Sequence, residues 1–319
     1  MVGKSVAALV SEVVLSVAQA DAVREYGLAE KSEATRRGYR SDFRGFTRWC
    51  SSHQVDALPA SASTVAAFLV SEATAGAKAS TLTRKMSAIR YAHRLAALPS
   101  PTDVEQVRAV LRGIRNTHGT APNQKAPATA DRIKVMLDQV PDTLKGKRDR
   151  ALLTLGMAGA FRRSELVALQ VADLERVPDG LRVTIRKSKT DQTGVGEVIA
   201  ILRGSKLKPV RAVTDWLAAA GITSGPVFRN VDRHGRLSAA GLTPQSVALV
   251  VKHYADAAGL DPDEFAGHSL RSGFLTSAAE AGADVLRMME VSRHKRVETV
   301  RSYVRRANLF RGHAGAGFL

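Results

Sequence analysis

Tyr303 follows His294 by nine residues, and His268-Ser269-Leu270-Arg271 precedes both. Further back stand Arg162-Arg163-Ser164-Glu165 and Lys189-Thr190. These are the parts needed to break a phosphodiester without a metal. A planar guanidinium matches two phosphate oxygens with parallel hydrogen bonds, so two arginines can hold the non-bridging oxygens of one phosphate. A tyrosine hydroxyl can attack phosphorus and keep the bond's energy in a covalent phosphotyrosyl link. A lysine or histidine can protonate the departing sugar oxygen.

Each part alone has a plainer reading. His268 and Arg271 are three apart, which suits a solvated pair at a helix start. Glu165 suits the first turn of a helix, where a carboxylate is favoured by the dipole. Lys189 shares a basic run with Arg186 and Lys187, as a solvated hairpin tip would. Tyr303 has Val300 and Val304 on its helix, so a core role competes with a nucleophilic one. The ordered set favours chemistry over these alternatives. Tyr39, Tyr91 and Tyr254 lack such neighbours and are expected to be packing residues.

The elements that must position this set are mostly helices. Helical periodicity predicts segments over 131–140, 148–158 and 164–169, with Arg162 at the start of the last. Alternation in Leu181-Arg182-Val183-Thr184-Ile185 predicts a strand, 198–202 its partner, and Lys189 falls in the turn between them. Helices are expected again over 208–219, 244–258, 269–281, 284–291 and 297–307. Upstream, Thr35, Tyr39, Phe43, Phe46 and Trp49 mark the buried face of a helix over 32–49. Arg37, Arg40, Arg44 and Arg48 stripe another face, expected to meet phosphates or solvent. Ser63 is expected to cap a second helix and Ser80 a third. On the third, Leu82, Met86 and Ile89 point inward and Arg84, Lys85 and Arg90 outward. A fourth is expected over 102–115.

The chain has 319 residues, enough for two domains with separate cores, and carries a formal charge of +17. Residues 1–125 contribute 17 basic against 10 acidic side chains, and 126–319 contribute 30 against 20. The excess is therefore spread along the chain, which points to a polyanion touched by both halves. The hydrophobic fraction of 45% sets it apart from a basic tail or scaffold. Cys50 is the only cysteine, so no internal disulfide can form, and it is expected to be a buried small hydrophobe. No Cys/His cluster has zinc-ligand spacing, and no metal or other cofactor is expected. Residues 6–17 form an apolar run interrupted by Ser11-Glu12, which suits an amphipathic helix better than an export signal. No stretch is long enough to cross a bilayer.

The stretches Gly159 to Leu166, Lys187 to Thr190, Gly267 to Arg271 and His294 to Tyr303 resemble the tyrosine recombinase (phage integrase) family. His93 to Asp103 is similar to a helix-to-loop passage in the Cre-like branch of that family. The resemblance implies a mainly α fold. It places a helical core-binding (SAM-like) domain at 31–118, after an arm or helix at 1–30. A linker at 119–129 leads to a mostly helical catalytic domain with a small antiparallel sheet at 130–319. It implies that Arg162 and Arg271 clamp the scissile phosphate with His294, that His268 and Lys189 complete the site, and that Glu165 positions the group. Lys189 would be the general acid and Tyr303 the nucleophile. Arg84, Lys85 and Gln245 fall on helices that face the DNA grooves in the resembled branch.

Two departures stand out. Arg293 replaces the glycine common before the histidine, and Arg163 stands where many relatives have Ile or Val. The implied partner is double-stranded DNA with inverted half-sites, clamped by two domains and bound by a homotetramer, with no membrane involved. The implied setting is a cytoplasmic protein, bacterial or phage-encoded. The carboxy-terminal tail is expected to dock between protomers. The same chemistry also serves topoisomerases and telomere resolvases, and a DNA-binding regulator without chemistry is a further alternative.

Overall fold

A computed structural model describes residues 16–120, 124–186 and 196–307. The expected helix at 6–17 lies almost wholly outside the described residues; Lys187, Lys189, Thr190 and the tail from Asn308 onward lie outside them altogether. The chain divides into two compact units, Met1–Pro122 and Asn123–Leu319.

The first unit is all helical: α1 (Val17–Ala29), α2 (Glu33–Ser52), α3 (Ala62–Thr74), α4 (Ala79–Leu95) and α5 (Glu105–His118). Ser32 caps α2 by accepting from the Thr35 N–H. Helix α3 starts earlier than expected, because Ser61, two residues before the expected cap, accepts from the Thr64 N–H at 3.0 Å. Helix α4 has Lys78 at its cap position and no side-chain cap, with Ser80 already inside the helix. Phe46, Phe68, Leu69, Leu82 and Ile89 form a core in which Phe46 meets Phe68 edge to face at 5.0 Å. Each such side chain contributes about 1.5–3 kcal/mol on burial. Cys50 is buried here, and Tyr39 lies against Tyr91, as expected of packing residues.

The second unit contains α6 (Ala130–Asp138), α7 (Leu144–Ala158), α8 (Arg163–Ala168), β1 (Leu174–Val177), β2 (Gly180–Ile185), β3 (Glu197–Leu202) and α9 (Pro209–Ala219). It continues through β4 (Arg229–Val231), β5 (Leu237–Gly241), α10 (Pro244–Ala257), α11 (Ser269–Glu280), α12 (Val285–Ser292) and α13 (Val297–Ala307). Helix α7 runs through the centre of the core, with every residue from Ala151 to Met157 buried. That is why its sequence has apolar residues all round rather than a stripe. Its end therefore delivers the turn Gly159-Ala160-Phe161 from a fixed support.

Strands β2 and β3 pair antiparallel with Val183 opposite Ile199, as the alternation predicts. Strand β1, which the sequence does not announce, pairs on the other side of β2. The short hairpin β4–β5 is also new. Trp216 is fully buried and donates its indole N–H to the Val227 carbonyl at 2.8 Å. Tyr254, another packing residue, donates to Asp149. A smaller core of Leu275, Ala279, Met288 and Val300 joins α11, α12 and α13, and Tyr303 packs against it.

The expected linker 119–129 is only partly a linker. Ala126 donates to the Glu264 carbonyl at 2.7 Å and Ala128 to that of Ser269 at 2.9 Å, and Ala128 is fully buried. Proline and small residues suppress hydrophobic periodicity, but they still let backbone pair with backbone.

Candidate active site

The site grows from the turn between α7 and α8. Ala160 holds a left-handed backbone (φ 44°), which costs a non-glycine residue about 1 kcal/mol. That turn aims the Ala160 carbonyl at two guanidinium groups. Arg271, on the first turn of α11, is fully buried and donates Nη1 to Ala160 O at 2.7 Å. Arg293 donates Nη2 to the same oxygen at 3.2 Å.

Arg162 caps α8, and Glu165 reaches back to it. The Glu165 carboxylate accepts the Arg162 backbone N–H at 2.9 Å through Oε2 and the Arg162 guanidinium through Oε1. Oε2 also accepts from Arg293 Nη2 at 2.8 Å. Burial pushes the Glu165 carboxyl up, but Arg293 and then Arg162 outweigh burial and hold it below the usual carboxylate range. Glu165 is thus a buried anion among cations.

Arg271 turns its other nitrogen, Nη2, to His294, 3.3 Å from Nδ1. Ser292 lies 2.8 Å from the same ring nitrogen. Burial, then the charges of Arg271, Arg162, His268 and Arg293, push the His294 pKa down to about 4. Burial, then Arg162 and Arg293, push Arg271 down to about 9, while Glu165 and Tyr303 oppose that shift. Arg271 remains cationic at neutral pH, and its buried Nε makes no hydrogen bond. A buried, undercompensated cluster of positive charge is a ready anion site.

Tyr303 and His268 border one cleft of about 460 Å³ with Ser269, Ser272 and Thr276. His268 is exposed at the cap position of α11, whereas Arg271 three residues on is buried, so the two reach the site from different depths. Arg162, His268, Arg271, His294 and Tyr303 are therefore brought together with Glu165, while Lys189 lies outside the described residues. Arg293 and Ser292 are additions that the motif does not predict. The glycine position before His294 was the available signal: Arg293 keeps the left-handed turn (φ 58°) and sends its side chain inward. Arg163, the other departure, is exposed and rests against Gly267.

In the first unit, Arg37, Arg40, Arg44 and Arg48 all lie on α2, where Arg37, Arg40 and Arg44 line a 740 Å³ cleft together with Phe43, Tyr91 and Leu95. Arg84 is paired with buried Asp42 through two bonds of 2.7 and 3.0 Å. Lys85 does not point outward: its side chain is 16% exposed, pairs with Glu72 at 2.6 Å and lies over the Phe68 ring. Gln245 is exposed on the first turn of α10.

The phage integrase family pattern matches residues 128–309, and the phage integrase N-terminal SAM-like domain matches 25–98. An integrase/recombinase xerD homolog of Selenomonas ruminantium is 41% identical, over 89% of this chain and 86% of that protein. The chain belongs to the phage integrase, or tyrosine recombinase, family. That family is a class of DNA-cleaving and rejoining enzymes. Recombinase cre of Escherichia phage P1 is a more distant relative of this tyrosine recombinase, 23% identical over 86% of the chain and 84% of that protein. Two solved structures share the fold. The XerH site-specific recombinase in its post-cleavage complex with palindromic difH has a TM-score of 0.60 at 16% identity, covering 78% of this chain and 70% of that one. A lambda integrase dimer bound to a COC′ core site has a TM-score of 0.59 at 17% identity, covering 89% and 93%. Among the described residues, no helix of the recombinase is long and apolar enough to cross a membrane.

Proposed function

We propose that this chain is a site-specific recombinase that cuts and rejoins duplex DNA through Tyr303. The phenolic oxygen attacks the scissile phosphorus, the bond from phosphorus to the 5′ oxygen breaks, and a 3′-phosphotyrosyl link remains. Lys189 gives its proton to the leaving 5′ oxygen. His268, beside the same cleft as Tyr303, takes the proton from the phenol. Arg162, Arg271 and His294 hold the non-bridging oxygens, whose charge grows in the transition state. A 5′-hydroxyl from a partner duplex then attacks the phosphotyrosine, so one phosphodiester is made for each one broken and no external energy is needed.

The observation that carries this reading is the meeting of Arg162, Arg271 and His294 in one cluster whose positive charge Glu165 only partly offsets, with Tyr303 near enough to bear on Arg271. The XerH and lambda integrase neighbours are protein–DNA complexes, which supports duplex DNA as substrate. We further propose inverted half-sites around a short spacer, a homotetramer on two sites, and a Holliday junction between the two exchanges. The arginines of α2 and Gln245 on α10 would contact the duplex.

The test uses the protein's own site, recovered by selecting bound fragments from random-sequence duplex. A nicked copy of that site should trap a covalent protein–DNA adduct, and Tyr303→Phe should abolish it. Two intact sites on one plasmid should then yield exchanged products. Relaxation without exchange would make the chain a topoisomerase, and an adduct surviving Tyr303→Phe would remove Tyr303 as nucleophile.

A further inference from the structure

Arg293 ties together three parts of the site. Its side chain is 2% exposed, and its guanidinium donates to Gly159 O at 3.1 Å, Ala160 O at 3.2 Å, Val291 O at 2.6 Å and Glu165 Oε2 at 2.8 Å. It also lies 5.4 Å from the centre of the Phe161 ring. One side chain thereby joins the α7–α8 turn, the first turn of α8 and the end of α12. The residue before it, Ser292, and the residue after it, His294, are both in the site.

The bond to Glu165 has a chemical consequence. Glu165 has two oxygens, and the Arg162 guanidinium could donate to both in a side-by-side pair. Arg293 occupies Oε2 together with the Arg162 backbone N–H, which leaves only Oε1 for the Arg162 guanidinium. Arg162 then retains N–H groups for another acceptor. If Arg293 were absent, the carboxylate would be free to turn and compete with a phosphate for the same guanidinium.

On the recombinase reading, we propose that Arg293 is a positioning residue for DNA cleavage, acting through Glu165 to keep Arg162 open to the scissile phosphate. It is not a catalytic residue, since its Nη donors are spent on carbonyls and the carboxylate and its Nε is buried.

Single-turnover cleavage of the nicked site tests this with Arg293→Gly, Arg293→Lys, Glu165→Gln and the Arg293→Gly/Glu165→Gln double variant. Glycine adopts the left-handed turn freely, so Arg293→Gly removes the guanidinium without straining the backbone. The expected result is cleavage slowed about 100-fold, the cost of misplacing a reacting group by about 1 Å, with DNA affinity within about twofold of wild type. Arg293→Lys should recover part of the rate. Glu165 faces Arg162 from α8, Arg293 from the end of α12 and Arg271 from α11, and Glu197 approaches Arg293 from β3. Loss of Arg293 removes the main charge holding the Glu165 carboxyl ionised, so the acid limb of the rate profile should move to higher pH. In the Glu165→Gln background, adding Arg293→Gly should slow cleavage less than about threefold.

Wild-type rates in Arg293→Gly would overturn the proposal. So would an equal loss in the Glu165→Gln background with an unmoved acid limb, which is the behaviour of a simple brace. If the glycine variant does not fold, Arg293→Gln carries the same comparison. Absence of any adduct with the wild-type protein would instead overturn the recombinase reading itself.

Discussion

Arg271 Nη2 lies 3.3 Å from His294 Nδ1, while its Nη1 is fixed to the Ala160 carbonyl at 2.7 Å. The same guanidinium is thus anchored to the turn after α7 and set against the imidazole that precedes α13. A lysine could place one charge here but could not serve both directions in a plane. Arg271→Lys should slow cleavage at least about 100-fold, as expected for loss of one preorganised donor to the transition state. DNA affinity should change far less, because the other phosphates along the duplex supply most of it. Single-turnover cleavage and gel-shift titration on the same duplex separate the two effects.

His294 should make stability pH-dependent. Its folded pKa is pushed to about 4 by burial and then by Arg271, Arg162, His268 and Arg293, against an ordinary value of 6.5. Between those values the unfolded chain binds a proton that the folded chain refuses, so stability falls as pH falls through this window. Above about 6.5 neither state is protonated there and the slope disappears. Urea unfolding from about pH 7.5 to about pH 4.5 should show this decline in the wild type, and a shallower one in His294→Asn.

Backbone closeness at Gly273 gives a stability prediction. A Cβ there would lie 1.9 Å from the Ala128 carbonyl oxygen, so Gly273→Ala must push the 126–128 segment away from α11. The expected loss is at least about 1–3 kcal/mol. Gly113, on α5, has nothing within 4 Å of an added Cβ, and Gly113→Ala should stabilise by about 0.5–1 kcal/mol. Denaturant midpoints moving in opposite directions would bear this out.

DNA affinity should divide the basic residues of the first unit. Arg37, Arg40 and Arg44 line one cleft, whereas Lys85 is turned onto Glu72 and Phe68. Replacing the three arginines with Gln should weaken binding and lower the salt-dependence slope by up to about 0.9 for each phosphate they neutralise. Lys85→Met should leave that slope unchanged and show its effect in unfolding.

Long, strongly periodic helices were legible in the residues: α2 follows from its aromatic spacing and α13 from the valines around Tyr303. The site was legible because Arg162, His268, Arg271, His294 and Tyr303 fall in a recognisable order. Strand β1 was not, since Leu174-Glu175-Arg176-Val177 alternates in neither residue type nor exposure. Lys85 was misplaced because periodicity sorts residues by type, and a lysine stem can cover an aromatic ring while its head finds a carboxylate. Arg293 was hidden for a related reason: whether a charged side chain at a turn points out or in depends on Glu165, which lies 128 residues away. Buried charge is decided by tertiary partners.

The most direct measurement is to trap the protein on a nicked duplex, digest the adduct and locate the nucleotide-bearing residue by mass spectrometry. The expected peptide carries the 3′-phosphate on Tyr303, and no adduct forms when Arg162 and Arg271 are both replaced by Ala. A phosphotyrosyl link at any other residue, or an adduct that forms undiminished without the two arginines, would contradict a nucleophile at Tyr303 serving this cationic cluster.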